Sequence, residues 1–202
     1  MRASGDMSDG IEATGARTPG AAAPAPEYRV IAGMAGRRGD GWRALADALA
    51  PPTPAFVEDL RSGAFVEAVA RAIDWPGAER QRFLPHLASL WAFSREACAR
   101  PPEEVRSELA KEHRRLLGRR TRRPAEIAAY LAVRCAEEQA AWQENDPARA
   151  KMIRVEQRRL LDVRLDDLRD GCAGLRPACV EPYRALAEIL LRFVEVEAGG
   201  PG

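Results

Sequence analysis

Prolines divide most of this sequence into segments that each carry a helical pattern of apolar residues. Beyond residue 41, apolar side chains recur three or four positions apart and β-branched residues are sparse, which favours α-helix over strand. Proline falls where a helix can begin but cannot continue, at residues 51–54, 76, 101–102, 124 and 147. The sequence therefore predicts an all-α fold, a single helical-bundle domain of seven to eight helices over residues 41–198.

Two of the predicted helix starts have a capping residue directly before a proline, Thr53-Pro54 and Asp146-Pro147. A side-chain oxygen at this position accepts a hydrogen bond from an exposed N–H group of the first helical turn. Glycine, which adopts the left-handed conformation that often ends a helix, is predicted to end three helices: Gly63, Gly118 and Gly171. The last helix is predicted from about residue 178 to residue 196. The helix after Pro124 is predicted to bury one apolar stripe, which consists of Ile127, Tyr130, Leu131, Cys135 and Trp142.

Residues 1–40 differ in composition from the rest of the chain. They are rich in Gly, Ala, Pro, Ser and Thr, and their five basic residues balance five acidic ones. Such a segment has too little apolar surface to offset the entropy that is lost on folding. We therefore expect a disordered N-terminal tail over residues 1–40, followed by the helical domain over residues 41–198.

Charge, histidine and cysteine content narrow the range of functions. Lys and Arg (31) nearly balance Asp and Glu (30), whereas generic binders of nucleic acid carry a strong basic excess. The two histidines and four scattered cysteines offer little from which to build a zinc site or a Cys–His nucleophile pair. No stretch is apolar for long enough to be a secretory signal or to span a membrane. We expect buried, reduced cysteines, a cytoplasmic location, no membrane partner, no metal or cofactor, and no enzymatic activity.

The most basic segment is residues 111–123, with seven cationic side chains and one Glu. Clustered guanidinium groups bind phosphate oxygens and release counterions from a nucleic acid. A helix C-terminus with an exposed loop also explains the charge, because cations suit that end of a helix dipole, and no aromatic residue of the segment could stack on bases. A nucleic-acid or nucleotide-binding helical module is therefore the alternative function, with a basic loop as its site: Arg119, Arg120, Arg122 and Arg123.

A second charged cluster lies in the long helix predicted after Pro147. Asp162 and Asp166 are four residues apart, which puts both carboxylates on one face of a helix, and paired carboxylates can serve acid–base catalysis or metal binding. Arginines alternate with these aspartates, so ion pairing on a solvated face also explains the pattern. No sequence string typical of a nucleotide-binding, hydrolase or zinc-protease site occurs. We therefore expect the function to be recognition of another molecule.

Several segments, taken in order, resemble the TorD-like family of redox-enzyme maturation chaperones. Residues 42–69 resemble its opening, which is a helix, a proline break and a short helix that ends near Gly. Residues 109–118, LAKEHRRLLG, are similar to its central motif, in which Glu112 and Leu116 match and His113 replaces an aromatic residue. Residues 181–197 resemble its closing helix.

The longest resembling segment is residues 126–168, which is similar to the family's two central helices. Four positions match the family pattern: Gln157, Leu161, Asp162 and Leu165. Three other positions, Leu160, Arg164 and Leu168, stand where the family usually has Phe, His and Trp. Residues 118–124 are shorter than the hinge loop that the family has at that place.

The resemblance implies a cytoplasmic chaperone, monomeric or homodimeric, for a molybdenum-containing oxidoreductase. It would hold the apo catalytic subunit, or its twin-arginine signal, until the cofactor is inserted. A groove between helices would take an apolar segment, and carboxylates would pair with its arginines. The basic loop would repel a twin-arginine peptide at close range, which favours the folded client body, an acidic surface or cofactor phosphates as the ligand. The client-binding residues that the resemblance implies are Glu112, His113, Leu116, Gln157, Leu161, Asp162, Arg164, Leu165 and Asp166.

Overall fold

The computed structural model describes residues 23–73, 78–118 and 122–199. The described residues form eight α-helices and no strand, which confirms the prediction of an all-α bundle. The helices are α1 (Pro26–Leu49), α2 (Pro54–Ser62), α3 (Ala64–Ala72), α4 (Ala78–Cys98), α5 (Pro102–Leu116), α6 (Arg122–Gln143), α7 (Pro147–Leu175) and α8 (Tyr183–Glu197).

Helices α1, α6, α7 and α8 pack side by side in that order, and α2 to α5 cover the other side of the bundle. Helix α1 is antiparallel to α6, because the ring of Tyr28 lies 5.1 Å from that of Trp142 near one end while Gly39 faces Cys135 further along. One large core contains residues from all eight helices, with Trp42 fully buried against the ring of Phe193. A second, smaller apolar cluster joins the first part of α1 to α6 and α7. This packing leaves one side of α6 and of α7 exposed to solvent.

The start of helix α1 at Pro26 makes the predicted tail wrong for residues 26–40, which are helical. Residues 1–22 lie outside the described part of the chain. The helix is held by small buried residues, Ala32, Ala35 and Gly39, and a Cβ on Gly39 would lie only 3.3 Å from the Cβ of Cys135. The first part of α1 is buried because α1 and α6 approach each other closely. A composition rich in Gly and Ala does not indicate such an approach.

The predicted helix caps are confirmed. The Thr53 hydroxyl accepts a hydrogen bond from the backbone N–H of Phe56 (3.1 Å), and the Asp146 carboxylate accepts one from the N–H of Arg149 (3.0 Å). Gly63, with φ of 84°, ends helix α2 in the left-handed conformation. The side chains of Thr53 and Asp146 thus satisfy N–H groups that the first turn of a helix leaves without partners.

The predictions for the two ends of the α7–α8 connection are wrong. Helix α7 continues beyond Gly171, whose missing Cβ would lie 3.0 Å from the Cβ of Pro124 and 3.1 Å from the Cδ1 of Leu49. This glycine allows three helices to approach closely and does not end α7. The last helix, predicted from residue 178, begins at Tyr183, because residues 176–182 form a turn that a side chain of α5 holds.

The cysteines are all free, and the expectation that they are buried is right for two of the four. Cys135 and Cys172 are buried, whereas Cys98 and Cys179 are exposed. Burial raises the pKa of both buried thiols to about 12. The buried cysteines therefore stay protonated and act as small apolar core residues.

Candidate functional site

The residues predicted to bind a client do not form one groove. Two of those on helix α7, Gln157 and Leu161, face the core, whereas Asp162 and Asp166 are exposed. Each residue of a helix is rotated by about 100° from the one before, so positions 157 and 161 share one face and 162 and 166 share another. The remaining predicted residues are buried or half-buried: Glu112, His113, Leu116, Arg164 and Leu165.

Glu112, at the end of helix α5, holds the turn between α7 and α8. Its carboxylate accepts hydrogen bonds from the backbone N–H of Cys179 (2.7 Å) and from the Arg115 guanidinium (2.7 and 2.8 Å). Arg115 also donates to the carbonyl oxygen of Pro177 (2.8 Å). The hydrogen bonds from Arg115 lower the pKa of Glu112 from 4.5 to about 2. The predicted client-binding carboxylate is therefore already occupied by its own chain.

His113, the next residue, ties helix α5 to the end of α1. Its Nε2 lies 3.1 Å from the carbonyl oxygen of Leu49, one of the last four carbonyls of α1, which have no partner within their own helix. The ring of His113 lies 6.5 Å from the ring of Tyr183. Both aromatic rings are buried, so His113 stabilises the bundle and does not face a ligand.

Gln157 belongs to a buried polar network that joins helices α1, α6, α7 and α8. Its side-chain amide donates to Glu138 (3.0 Å) and accepts from Arg154 (3.0 Å). Arg38 donates to the same oxygen of Glu138 (2.6 Å), and Arg154 donates to Glu197 (3.3 Å). Two arginines therefore balance two glutamates, which makes burial of the charges tolerable. The network fixes four helices relative to one another.

The basic loop is only partly within the described chain. Arg119 and Arg120 lie outside it, Arg122 begins helix α6, and Arg123 is exposed in the first turn, where its Nε lies 3.5 Å from a carboxylate oxygen of Asp167. The one cation of this loop whose side chain is described is thus paired within the chain. Binding of nucleic acid or nucleotide stays a prediction.

One predicted client-binding residue and one predicted basic-loop residue line the same cleft. Leu116, from the client-binding set, and Arg123, from the basic loop, line a cleft of about 390 Å³ where the end of α5 meets α6 and α7. Asp167 and Asp170 stand on the α7 side of this cleft. The cleft is mixed in charge, and the described residues that line it include no other member of the two predicted sets.

A more apolar groove lies on the outside of helices α6 and α7, and the sequence patterns did not predict it. It has a volume of about 380 Å³, and we call it the Tyr130 groove. Its lining consists of Arg123, Glu126, Ile127, Tyr130, Glu156 and Leu160. Tyr130 is 51% exposed, although the apolar pattern assigned it to the buried face together with Leu131. Adjacent positions lie about 100° apart on a helix, and only Leu131 faces the core.

Helices α6 and α7 carry five of the large apolar residues that are exposed: Tyr130, Val133, Met152, Val155 and Val163. Of these, Tyr130 lines the groove, beside the half-buried Ile127 and Leu160, whereas Val133 lines a separate cleft between α1 and α6. The rim charges are occupied, because Glu156 pairs with Arg134 and Arg123 pairs with Asp167. The groove therefore offers mainly apolar contact.

A further cleft of about 410 Å³ lies between α4 and α8. Two of its arginines are paired with carboxylates that line it, Arg176 with Glu188 and Arg192 with Glu195. Within the described ranges, no three His, Cys, Asp or Glu side chains come together as metal ligands. None of the described helices has a stretch that is long and apolar enough to cross a membrane.

We compared the chain with models of protein families, with curated proteins and with solved structures, and none of the three comparisons finds a match. Function is therefore inferred from the residues and from the geometry of the clefts.

Proposed function

We propose that this chain is a chaperone that binds the apo catalytic subunit of a molybdenum-containing oxidoreductase and holds an apolar segment of that client in the Tyr130 groove. The observation that carries the proposal is the exposure of Tyr130 in a groove between helices α6 and α7 that Ile127 and Leu160 also line. Residues 126–168, the longest segment that resembles the TorD-like family, lie within these two helices and their connection.

An apolar groove between two helices suits a peptide segment that is itself apolar. Exposed apolar patches rimmed by polar residues are typical of interaction sites, and a groove of this kind takes the apolar side of a helix or an extended segment. A client exposes such a segment before its cofactor is inserted and buries it when folding is complete. Binding and release would then follow from the state of the client alone.

The charges at the rim support an apolar segment over an arginine-rich one. Glu156 is engaged by Arg134, and Arg123 is engaged by Asp167. A twin-arginine motif would have to displace one of these pairs, whereas an apolar segment of the client body would not. The proposal therefore favours the body of the apo subunit over its export signal.

The test is binding of a purified apo catalytic subunit, prepared with and without its N-terminal export signal. We expect Tyr130→Asp to weaken binding by about tenfold or more, because it places an unpaired charge in an apolar contact. Leu84→Asp is the matched control, since Leu84 on helix α4 is 49% exposed and Tyr130 is 51% exposed. Equal binding by the wild-type protein and both variants would refute the groove as the site. Loss of binding on removal of the signal would identify the signal as the ligand.

A further inference from the structure

The outer face of helix α7 has the spacing of a helix that pairs with another helix. Along the line farthest from the core, exposed or partly exposed positions alternate in steps of three and four residues. These positions are Met152, Val155, Arg159, Asp162, Asp166 and Arg169. Alternation of three and four is the spacing at which side chains meet along the seam of two paired helices. No described helix covers this face, since α7 packs against α6 and α8 on its other sides.

The charges on this face change sign near the middle of the helix. Lys151 and Arg159 lie in its first half, and Asp162, Asp166 and Asp170 lie in its second half. Arg169 is a positive charge of the second half, and it lies 3.6 Å from Asp166 of the same helix. Helix α7 extends over Pro147–Leu175, so its midpoint falls close to the change of sign. A helix with this pattern is complementary to an antiparallel copy of itself.

A two-fold axis between residues 160 and 161 brings the opposite charges together. It places Arg159 of one copy opposite Asp162 of the other, and Lys151 opposite Asp170, and each pair occurs twice because a two-fold interface is self-complementary. The same axis places Val155 opposite Asp166 and Met152 opposite Arg169. None of the positions along the seam meets a like charge.

The charges that would meet across the axis are unpaired within one copy. Arg159, Asp162, Lys151 and Asp170 form no ion pair with any described residue. Other charges of the same helix do pair locally, for example Arg164 with Asp167 at 3.6 Å. The face therefore presents unpaired charges of both signs in an order that a second copy satisfies.

We propose that two copies of this chain associate through the outer faces of their α7 helices, antiparallel and about a two-fold axis. The association needs no client and goes beyond the proposed chaperone function. One helix pair makes a small interface, so the dimer is weak and reversible, and its exposed ion pairs make it weaker at high salt.

The test is sedimentation equilibrium of the full-length protein at low salt, over concentrations from about 10 µM to about 500 µM, a range in which a weak dimer dissociates on dilution. The proposal predicts a monomer–dimer equilibrium. Arg159→Asp and Asp162→Arg each place like charges opposite one another twice, so each should raise the dissociation constant about tenfold or more. The double variant Arg159→Asp/Asp162→Arg restores opposite charges and should return the constant to within about threefold of the wild-type value.

Arg95→Asp is the control for the change in net charge, because Arg95 is exposed on helix α4, away from the seam. It should leave the dissociation constant unchanged. Circular dichroism verifies that each variant is folded. If a single variant does not fold, the proposal is tested by the dissociation constant of the double variant and by the weakening of the wild-type dimer at high salt. A wild-type monomer at every concentration, or a dimer that the double variant does not restore after the single ones weaken it, would overturn the proposal.

Discussion

Replacement of Glu112 by glutamine is expected to destabilise the fold in a pH-dependent way. The Glu112 carboxylate accepts hydrogen bonds from Arg115 and from the backbone N–H of Cys179, and its pKa is lowered from 4.5 to about 2. A carboxyl group whose pKa is lower in the folded state stabilises the fold at pH values above its unfolded pKa. That contribution is lost as the pH falls from about 4.5 towards about 2.

The size of the effect follows from the pKa shift and from solvent exposure. A shift from 4.5 to about 2 corresponds to about 3 kcal/mol of stability at neutral pH. The Arg115 side chain is 48% exposed, and solvent screening reduces the contribution to about 1–2 kcal/mol. Glu112→Gln keeps an oxygen for the Cys179 N–H but loses the charge, so it should lower the free energy of unfolding by about that amount at pH ~7.

Urea denaturation at several pH values measures the difference between the two proteins. It should shrink as the pH is lowered from about 5 to about 3, because the wild-type carboxylate then loses its advantage. Glu103→Gln is the matched control, since Glu103 pairs with Arg106 three residues on in the same helix but is 73% exposed; it should cost less than about 0.5 kcal/mol. Unchanged stability of Glu112→Gln, together with loss of client binding, would refute the structural role.

Two further predictions concern helix α1. Gly33→Ala should raise the free energy of unfolding by about 1 kcal/mol, because no atom outside its own stretch of helix lies within 4 Å of the added Cβ. Gly41→Ala should lower it by about 1–3 kcal/mol, because its Cβ would lie 2.4 Å from the Phe193 ring. Thermal denaturation measures both, and no effect of Gly33→Ala would mean that residues 26–40 are not helical. Burial, with a smaller contribution from Asp59, raises the pKa of Asp47 from 3.8 to about 6, so stability is lost as the pH rises from about 3.8 to about 6 and stays lower above that pH. Asp47→Asn should therefore raise the melting temperature at pH ~8 but not at pH ~4, and an equal change at both pH values would contradict this.

Helix positions were predictable where a local chemical signal marks them. The N-caps at Thr53 and Asp146 depend on two or three neighbouring residues, and both hydrogen bonds are present. Because glycine often ends a helix, the sequence predicts a helix end at Gly171, but in the structure this glycine provides room for Pro124 and Leu49. The function of a glycine depends on which distant residues approach it, and such contacts leave no mark on the local sequence.

The first part of helix α1 illustrates the same limit. Ala32, Ala35 and Gly39 are buried, but their small side chains produce no apolar periodicity. The stabilisation comes from the fit between α1 and α6, including the Arg38–Glu138 ion pair at 2.6 Å. A pattern rule based on large apolar residues therefore assigned this segment to a disordered tail.

The candidate site was harder to predict than the fold. Glu112 and Gln157 are polar residues in apolar stripes, and both are occupied by partners of their own chain, Arg115 and Glu138. Sequence alone does not tell a polar residue that binds a ligand from one that holds helices together, because both need polar atoms at a buried position. Tyr130 shows the reverse case: the apolar stripe predicts that its aromatic ring is buried, but in the structure it is half exposed.

The central claim is that this chain loads a client through the Tyr130 groove, and the molybdenum content of the client tests it most directly. The oxidoreductase would be purified from cells that express the wild-type chain, Tyr130→Asp or Leu84→Asp at equal levels, and its metal measured by mass spectrometry. We predict full molybdenum occupancy with the wild-type chain and with Leu84→Asp, and a client largely without molybdenum with Tyr130→Asp. Full occupancy with all three, or in cells that lack the chain altogether, would contradict the claim.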